Sequence, residues 1–460
     1  MVNAAVILAA GKGVRMRSAY PKVVHKVAGL PMIQHVVQAV QAAGIKNIYV
    51  VVGHGREDVI KSLTGLEVEF VVQEQQLGTG HALKQAEVLL NQADTVMVLS
   101  GDIPLIQTST LTNLLAWHVE NHAAATVLSA AIDDPAGYGR IIRNQDQSLH
   151  RIIEEKDASL EQKRIKEINS GIYCFNCREV FPRLSGLTTH NAQGEYYLTD
   201  VLAMMINDGH RVGVLVCEDS NDVLGINDRV QMARCEAIMR QRKNVALMQA
   251  GVTMMAPETV FIDQQVVIGE DTVIRPNTII EGDTVIGPEC DIGPAVRISD
   301  TVVGRKVVME TARVIDSHIG DQCAIGPFAY LRPGTRLGKG VKVGDFVEIK
   351  NSTVGEGSKI PHLSYVGDAQ VGTGVNVGAG TITCNYDGAS KSPTFLEDGV
   401  FIGSNTNLVA PIRIGKNSVT GAGSTITRDV PPDSLAVERA KQRVIKGWSR
   451  KTKDDQEVTE

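Results

Sequence analysis

Charge of one sign is not in excess in this chain. Its 46 Lys and Arg against 52 Asp and Glu give a formal charge of -6 and a pI near 6.0, and the basic residues are scattered rather than massed. That leaves no electrostatic footprint for nucleic acid, so no nucleic-acid partner is expected. Long apolar runs are also missing. No stretch approaches the ~20 residues that cross a bilayer, and no membrane association is expected. The opening MVNAAVILAAGKG lacks a basic start, and its short apolar run ends in a glycine loop. It reads as a buried first strand rather than a secretory signal. A disulfide framework is absent too. Seven cysteines, an odd number without regular spacing, point to a reducing compartment and a cytoplasmic protein. Cys174 and Cys177 form a C-x-x-C, but no second pair and no neighbouring His completes a zinc site. They read as two small apolar residues beside a strand.

A length of 460 residues, 43% hydrophobic and 21% charged, predicts a soluble globular protein of two or three domains. Up to about residue 225, short apolar runs such as AAVILAA, NIYVVVG and TVMVLSGD alternate with helical patterns such as MIQHVVQAVQAAG and HALKQAEVLL. Strands without strict alternation are buried on both faces, and intervening helices predict a parallel, Rossmann-like α/β sheet. A helix follows from Asn227 to about Ala250, with Met232, Cys235, Ile238, Met239 and Val245 spaced for one face. After Gly251 the period changes. Ile262, Ile268, Ile274, Ile280, Ile286, Ile292 and Ile298 recur every six residues. The period resumes at Ile319, Ile325, Leu331, Leu337, Val343 and Ile349, and again, shifted, at Val354, Ile360 and Val366. A six-residue aliphatic period is the signature of a parallel β-helix. The 4% aromatic content suits a narrow prism with little room for rings. Register breaks near Val303, Val354 and Asn385–Asp398 predict bulges or extruded loops, where function concentrates. The domains expected are 1–226 (α/β), 227–250 (linker helix), 251–437 (β-helix) and 438–460 (a charged tail).

The segment Leu8-Ala9-Ala10-Gly11-Lys12-Gly13-Val14-Arg15-Met16 follows a strand directly, with Pro21-Lys22 shortly after. Glycines there let the backbone approach phosphate, and Arg15 and Lys22 bring charge to a polyphosphate. A bare Gly-x-Gly is equally an ordinary βα turn. The whole string, however, resembles the L-A-A-G-x-G-T-R-M…P-K signature of sugar-nucleotide pyrophosphorylases. Val14 replaces the more usual Thr, which is tolerable if the backbone amide is the contact. Residues 73–82 resemble that family's uracil-reading loop, with Gln73, Gly78 and Thr79 in the contact positions. Ser100-Gly101-Asp102 ends a buried strand with a carboxylate, where an open α/β sheet binds ligands and Mg²⁺ needs an oxygen. A strand-terminal Asp is by default a turn residue, but adjacent phosphoryl chemistry requires a metal.

Gly137-Tyr138-Gly139-Arg140-Ile141, Glu154-Glu155-Lys156-Asp157, Glu167-Ile168-Asn169-Ser170-Gly171, the string from Asn191 to Tyr197, and Gly225-Ile226-Asn227 follow in order. Over nearly the whole chain the sequence resembles the family of bifunctional N-acetylglucosamine-1-phosphate uridyltransferase/glucosamine-1-phosphate N-acetyltransferases. The resemblance implies a left-handed β-helix behind the α/β domain. It implies nucleotide contacts at Leu8, Ala9, Ala10, Gly11, Lys22, Gln73, Gly78, Thr79, Ser100, Gly101 and Asp102. Gly139, Glu154 and Asn169 would hold the N-acetylated sugar, and Asn227 would join Asp102 on Mg²⁺. Ser100 stands where some members carry Tyr. The sugar 1-phosphate would attack the α-phosphorus of UTP and expel pyrophosphate, with catalysis resting on alignment and on charge neutralisation by Mg²⁺, Arg15 and Lys22.

Arg332, Lys350, His362, Tyr365, Asn376, Asn385, Tyr386 and Lys391 are out of place in a β-helix coil. Singly, each reads as a solvated face residue; together they match the family. Transfer of an acetyl group from a thioester to a largely protonated amine needs a base, and imidazole has a suitable unperturbed pKa of about 6.5. The resemblance implies His362 as that base, oriented by Glu348, with the Ala379 amide at the oxyanion. Arg332 and Lys350 would grip the phosphate of glucosamine-1-phosphate, with Tyr365, Asn376 and Lys391 on sugar and phosphate. Ala379, Asn385, Tyr386, Ser404, Ala422 and Arg439 would contact acetyl-CoA. Pro393 interrupts the family's usual K-x-K-T. The resemblance also implies a homotrimer with shared acetyltransferase sites, which the dispersal of ligands from Arg332 to Arg439 supports. Two other readings are a uridyltransferase with a purely structural β-helix and a non-catalytic regulatory subunit. The His362 constellation argues against the first, and Arg15, Lys22 and Asp102 against the second.

Overall fold

The computed structural model describes residues 3–448. Met1, Val2 and residues 449–460 of the expected tail lie outside the described residues. The chain divides into two compact units, Met1–Val245 with Ile262–Gln264, and Ala246–Phe261 with Gln265–Glu460.

The first unit is built on one sheet with strand order Val212–Val216, Ala125–Ala131, Glu167–Asn176, Thr95–Ser100, Asn3–Ala9, Asn47–Val52 and Glu69–Val72. Alternate residues of Asn3–Ala9 enter different cores. Ala5 and Ile7 cluster with Ile33, Val36 and Val40, while Ala4 and Val6 cluster with Leu83, Val180 and Val201. Covering both faces removes the need for polar alternation, so these strands read as continuous apolar runs. The sheet is mixed rather than wholly parallel. Glu167–Asn176 runs antiparallel to both neighbours and carries the hairpin Gly139–Arg143 and Leu149–Ile153 on its edge. Hairpin strands, not a helical crossover, lead into it, and antiparallel neighbours need no crossover.

Helix Arg229–Gln249 lies where a helix was expected, with Cys235 and Met239 buried beside Ile226 and Leu105. Val245 is exposed instead. Six residues past Met239 is about 240° around a helix, off the buried stripe. Cys174 and Cys177 are both buried, and burial pushes the Cys177 thiol up to about 12. They are packing residues, as expected.

The second unit stacks parallel strands into three sheets of eleven, ten and nine strands among the described residues. Each strand pairs with the one a coil later: Val273 with Asp291, Ile279 with Arg297, Val285 with Val302. Ile268, Ile274, Ile280, Ile286, Ile292 and Ile298 are all buried, one per short strand, and burial of each such side chain is worth about 1.5–3 kcal/mol. Two of the three register breaks are neither bulges nor loops. Val303 and Val354 sit in strands that keep their pairing to the coils before and after, so the missing residue is absorbed at a tightened corner. Only the third break extrudes chain, between strands Ile382–Cys384 and Thr394–Leu396.

Candidate active sites

In the first unit, the central strands Asn3–Ala9 and Thr95–Ser100 end side by side, with Gly101 N donating to Leu8 O at 2.9 Å. Ala9 and Ala10 are buried there, and Gly11 opens into free space. Gly13 has φ +58°, and a Cβ on it would lie 2.6 Å from the Lys22 Cβ. Glycine is what lets Lys22 through. The Lys22 ammonium donates to Asp102 Oδ2 and, at 3.2 Å, to Asn227 Oδ1, which also accepts from Arg15 Nη2 at 2.9 Å. Four residues singled out from sequence therefore meet at one point. Burial alone would push the Asp102 carboxyl up, but Lys22 and the Ser100 hydroxyl outweigh it and hold the group below its ordinary range. The turn bearing Asn227 is fixed by Ile226 N to Asp102 O at 2.9 Å and by Gly225 N to the Tyr138 hydroxyl at 3.1 Å. Asp102 and Asn227 thus aim two oxygens at one cationic atom, the donor type a hard divalent ion takes.

The side chain of Val14 is 80% exposed, so nothing packs against the position where the family's Thr would stand. Gln73 is buried; its Nε2 donates to Gly78 O at 3.2 Å and lies 2.9 Å from His81 Nδ1. The Thr79 hydroxyl accepts from Leu198 N at 3.1 Å. The sugar residues also converge. Gly139 pairs with Asn169 across the sheet, and a Cβ on Gly139 would lie 3.4 Å from both Asn169 Cβ and Glu154 Oε2. Burial pushes the Glu154 carboxyl up, and Asp157, Asp200 and Glu195 add to the effect.

In the second unit the residues fall into two groups. Asp345 and His362 are register partners, and His362 Nδ1 lies 2.6 Å from Asp345 Oδ1. A carboxylate only accepts, so Nδ1 carries a proton, which in the neutral imidazole leaves the Nε2 lone pair free. His362 holds the Asp345 carboxyl low. Ala379, Ser404 and Ala422 occupy the same corner in successive coils, three residues beyond Asn376, Phe401 and Val419, which are partners in turn. Arg439 Nη1 donates to Ala422 O at 3.0 Å, so of the expected acetyl-CoA residues Ala379, Ser404, Ala422 and Arg439 run up one edge from His362, whereas Asn385 and Tyr386 lie apart from it, beside Asp368 and Lys391. Coils are spaced about 4.8 Å apart, so the edge from His362 to Ala422 spans three steps.

The other group starts three residues past His362. Tyr365 sits between Glu348 and Ile382 on the ten-stranded face. Asp368 accepts from Asn351 at 2.6 Å and Asn385 at 2.5 Å, and lies 3.7 Å from Lys350. The Lys350 ammonium pulls Lys391 below its ordinary pKa, as two cations sharing an anion site would require. A cavity of about 420 Å³ opens beside them, lined by Gly334, Arg336, Asn351, Asp368, Lys391 and Pro393. Tyr386 lies in the extruded loop, exposed, bridged to Lys391.

Two expectations need correction. Glu348 does not orient His362. It pairs with Arg332 Nη1 at 2.8 Å, because its register partner is Tyr365, whereas Asp345 stands directly opposite His362. The seventeen-residue offset of one coil was the signal for Asp345. Asn376 does not join the Lys350 group within this chain. It lies on the eleven-stranded face between Lys359 and Phe401. Tyr138, inside the string Gly137-Tyr138-Gly139-Arg140-Ile141, and Asp368 were given no role from the sequence.

A strand-end phosphate crevice and a coil-corner histidine define a nucleotidyltransferase joined to a hexapeptide-repeat transferase. Residues 4–232 match the family model for nucleotidyl transferase, 258–345 that for the GMPPB C-terminal domain, and 393–428 that for the bacterial transferase hexapeptide (six repeats). The bifunctional protein GlmU of Syntrophomonas wolfei is 62% identical, with 96% of this chain and 99% of that protein covered. Those of Heliobacterium modesticaldum and Clostridioides difficile are 54% and 45% identical, each with 98% of this chain and 99% of their own length covered. The chain belongs to the bifunctional GlmU family.

Proposed function

We propose that the chain catalyses two steps of UDP-N-acetylglucosamine synthesis. The β-helix acetylates glucosamine-1-phosphate with acetyl-CoA, and the α/β domain transfers UMP from UTP to N-acetylglucosamine-1-phosphate, releasing pyrophosphate. One observation carries the reading: the convergence of Arg15, Lys22, Asp102 and Asn227 in the same chain as the Asp345–His362 pair. Uridyl transfer belongs to residues 1–226, the linker helix to 227–250 and acetyl transfer to 251–437, with 438–460 as a tail.

In uridyl transfer, Arg15 and Lys22 draw the triphosphate to the strand ends, while Gly139, Glu154 and Asn169 align the sugar phosphate with the α-phosphorus. Asp102 and Asn227 would hold Mg²⁺, which would supply charge neutralisation on the phosphates. Among the described residues no group of three or more His, Cys, Asp and Glu could hold a metal by itself. The remaining ligands would be phosphate and water oxygens, as Mg²⁺ prefers. In acetyl transfer, His362 Nε2 takes a proton from the substrate ammonium as the nitrogen attacks the thioester carbonyl, and coenzyme A leaves. Arg332, Lys350 and Lys391 hold the phosphate.

The active form is a cytoplasmic homotrimer. Asn376 and the Lys350 group occupy different faces of one prism, and a neighbouring copy reunites them. No helix among the described residues is long and apolar enough to cross a membrane. The purified protein is expected to release coenzyme A with glucosamine-1-phosphate and pyrophosphate with UTP. Release of pyrophosphate alone would leave the β-helix a scaffold. Mixing Asn376→Ala with Lys391→Ala chains is expected to restore acetyl transfer; no rescue in verified mixed trimers would remove the shared site.

A further inference from the structure

The wall of the sugar subsite contains a charged side chain that the chemistry above does not use. Arg140 is 1% exposed, although a guanidinium cannot shed its charge. Its fork gathers acceptors from three segments. Nη1 donates to Tyr138 O, and Nη2 donates to Lys163 O at 3.2 Å and pairs with Glu155 Oε2 at 2.9 Å. The Glu155 Oε2 atom is itself buried.

The positions of the two partners matter. Arg140 directly follows Gly139, and Glu155 directly follows Glu154. Gly139 and Arg140 lie in one strand, which sends their side chains to opposite faces; Arg140 is opposite Ile153, where the facing strand ends and Glu154 and Glu155 enter a turn. Gly139 and Glu154 meet on the substrate side, 3.4 Å from the Gly139 Cβ position to Glu154 Oε2. Arg140 and Glu155 meet behind them. An ion pair in that place fastens the two sugar-contacting positions to each other. It also ties them to the helical turn Gln162–Arg164, through Lys163 O.

We infer that Arg140 and Glu155 are a positioning pair that sets the distance between the Gly139 backbone and the Glu154 carboxylate, and so sets selectivity for the sugar phosphate. The inference rests on the uridyl-transfer reading. Removing the Glu155 charge leaves the buried Arg140 guanidinium without its counter-ion, whereas the Glu155 side chain is 30% exposed and also lies 3.9 Å from Lys163. The turn bearing Glu154 then shifts relative to Gly139, while the Gln73 loop and the Asp102 crevice keep their own hydrogen bonds.

The test uses full-length Glu155→Gln and Arg140→Lys, with acetyl transfer as the control for intact protein. Both variants are expected to raise KM for N-acetylglucosamine-1-phosphate roughly tenfold or more, as small misplacements at a site do, while KM for UTP stays within about twofold. Calorimetry is expected to show weaker binding of UDP-N-acetylglucosamine with UDP binding unchanged. Preference for the N-acetylated sugar phosphate over glucose-1-phosphate is expected to fall. Glu155→Gln keeps the shape of the side chain, so it decides the matter if Arg140→Lys does not fold. Unchanged sugar KM and preference in Glu155→Gln, or parallel loss of UDP and UDP-sugar binding, would overturn the pair's role. Wild-type protein that releases no pyrophosphate from UTP would instead defeat the uridyl-transfer reading itself.

Discussion

The two units build their sites by opposite means. In the α/β unit, Arg15 and Asn227 touch across 212 positions of sequence, brought together by a sheet whose central strands end at one crevice. In the β-helix, Asp345 and His362 touch because they are one coil apart, and the residues above them follow at coil spacing. A site closed by tertiary contacts is a network in which each member constrains several others. A site set by register is a column in which each member depends mainly on its phase.

The sharpest way to separate the two is to remove one group from each. His362→Ala is expected to lower acetyl transfer by roughly 10²–10⁴-fold, the range for loss of a general base, with uridyl transfer and acetyl-CoA affinity unchanged. Full turnover at neutral pH would take His362 out of the mechanism. Asp102→Ala is expected to lower uridyl transfer on the order of 10³-fold and leave acetyl transfer intact; equal loss of both activities in folded protein would contradict separate sites.

Smaller effects test the column itself. Asp345→Asn is expected to cost about 10–100-fold in acetyl-transfer kcat by releasing the imidazole tautomer. Glu348→Gln, beside Arg332, is expected to act on KM for the sugar phosphate instead. The reverse pattern would restore Glu348 as the orienting carboxylate.

The smallest effect concerns pH in the network. Burial raises the Glu154 carboxyl, so KM for N-acetylglucosamine-1-phosphate is expected to rise as pH falls, beginning above the ordinary carboxylate range. Glu154→Gln is expected to flatten that profile. The linkage to folding runs the opposite way: this group's contribution to stability is present at acid pH and is lost as pH rises through the raised pKa. Asp102 behaves oppositely, since its carboxyl is held low; its contribution is present above the ordinary carboxylate range and is lost as pH falls through the depressed value.

Sequence legibility followed the same division. The six-residue aliphatic period named the β-helix outright, because each inward residue leaves a mark at fixed spacing. Arg15, Lys22, Asp102 and Asn227 were legible as motifs, and the resemblance already put Asp102 and Asn227 on one ion; the direct hydrogen bonds from Lys22 and Arg15 that close the group were not legible, since a linear string does not record them. Glu348 was preferred to Asp345 for want of the coil offset. The five-residue steps at Val303 and Val354 looked like breaks because a shortened corner and an inserted loop disturb the period alike. Arg140 was hidden for a different reason: a charged residue in a strand pattern gives no sign of whether it faces water or the interior.

The extruded segment between Cys384 and Thr394 has a wider meaning for how such a repeat acquires chemistry. Before it, Lys359 pairs with Asn376; across it, Asn376 pairs with Phe401 and Gln370 with Phe395; after it, Phe401 pairs with Val419. The stack therefore has a reading frame of three strands, and added residues leave that frame untouched as long as they are held outside it. Losing a single six-residue strand would advance every later residue by one face, moving Ser404 and Ala422 off the edge above His362 while each coil stayed well packed. The segment bearing Asn385, Tyr386 and Lys391 is an in-frame insertion in this spatial sense, adding its candidate site residues without changing the phase of those beyond it.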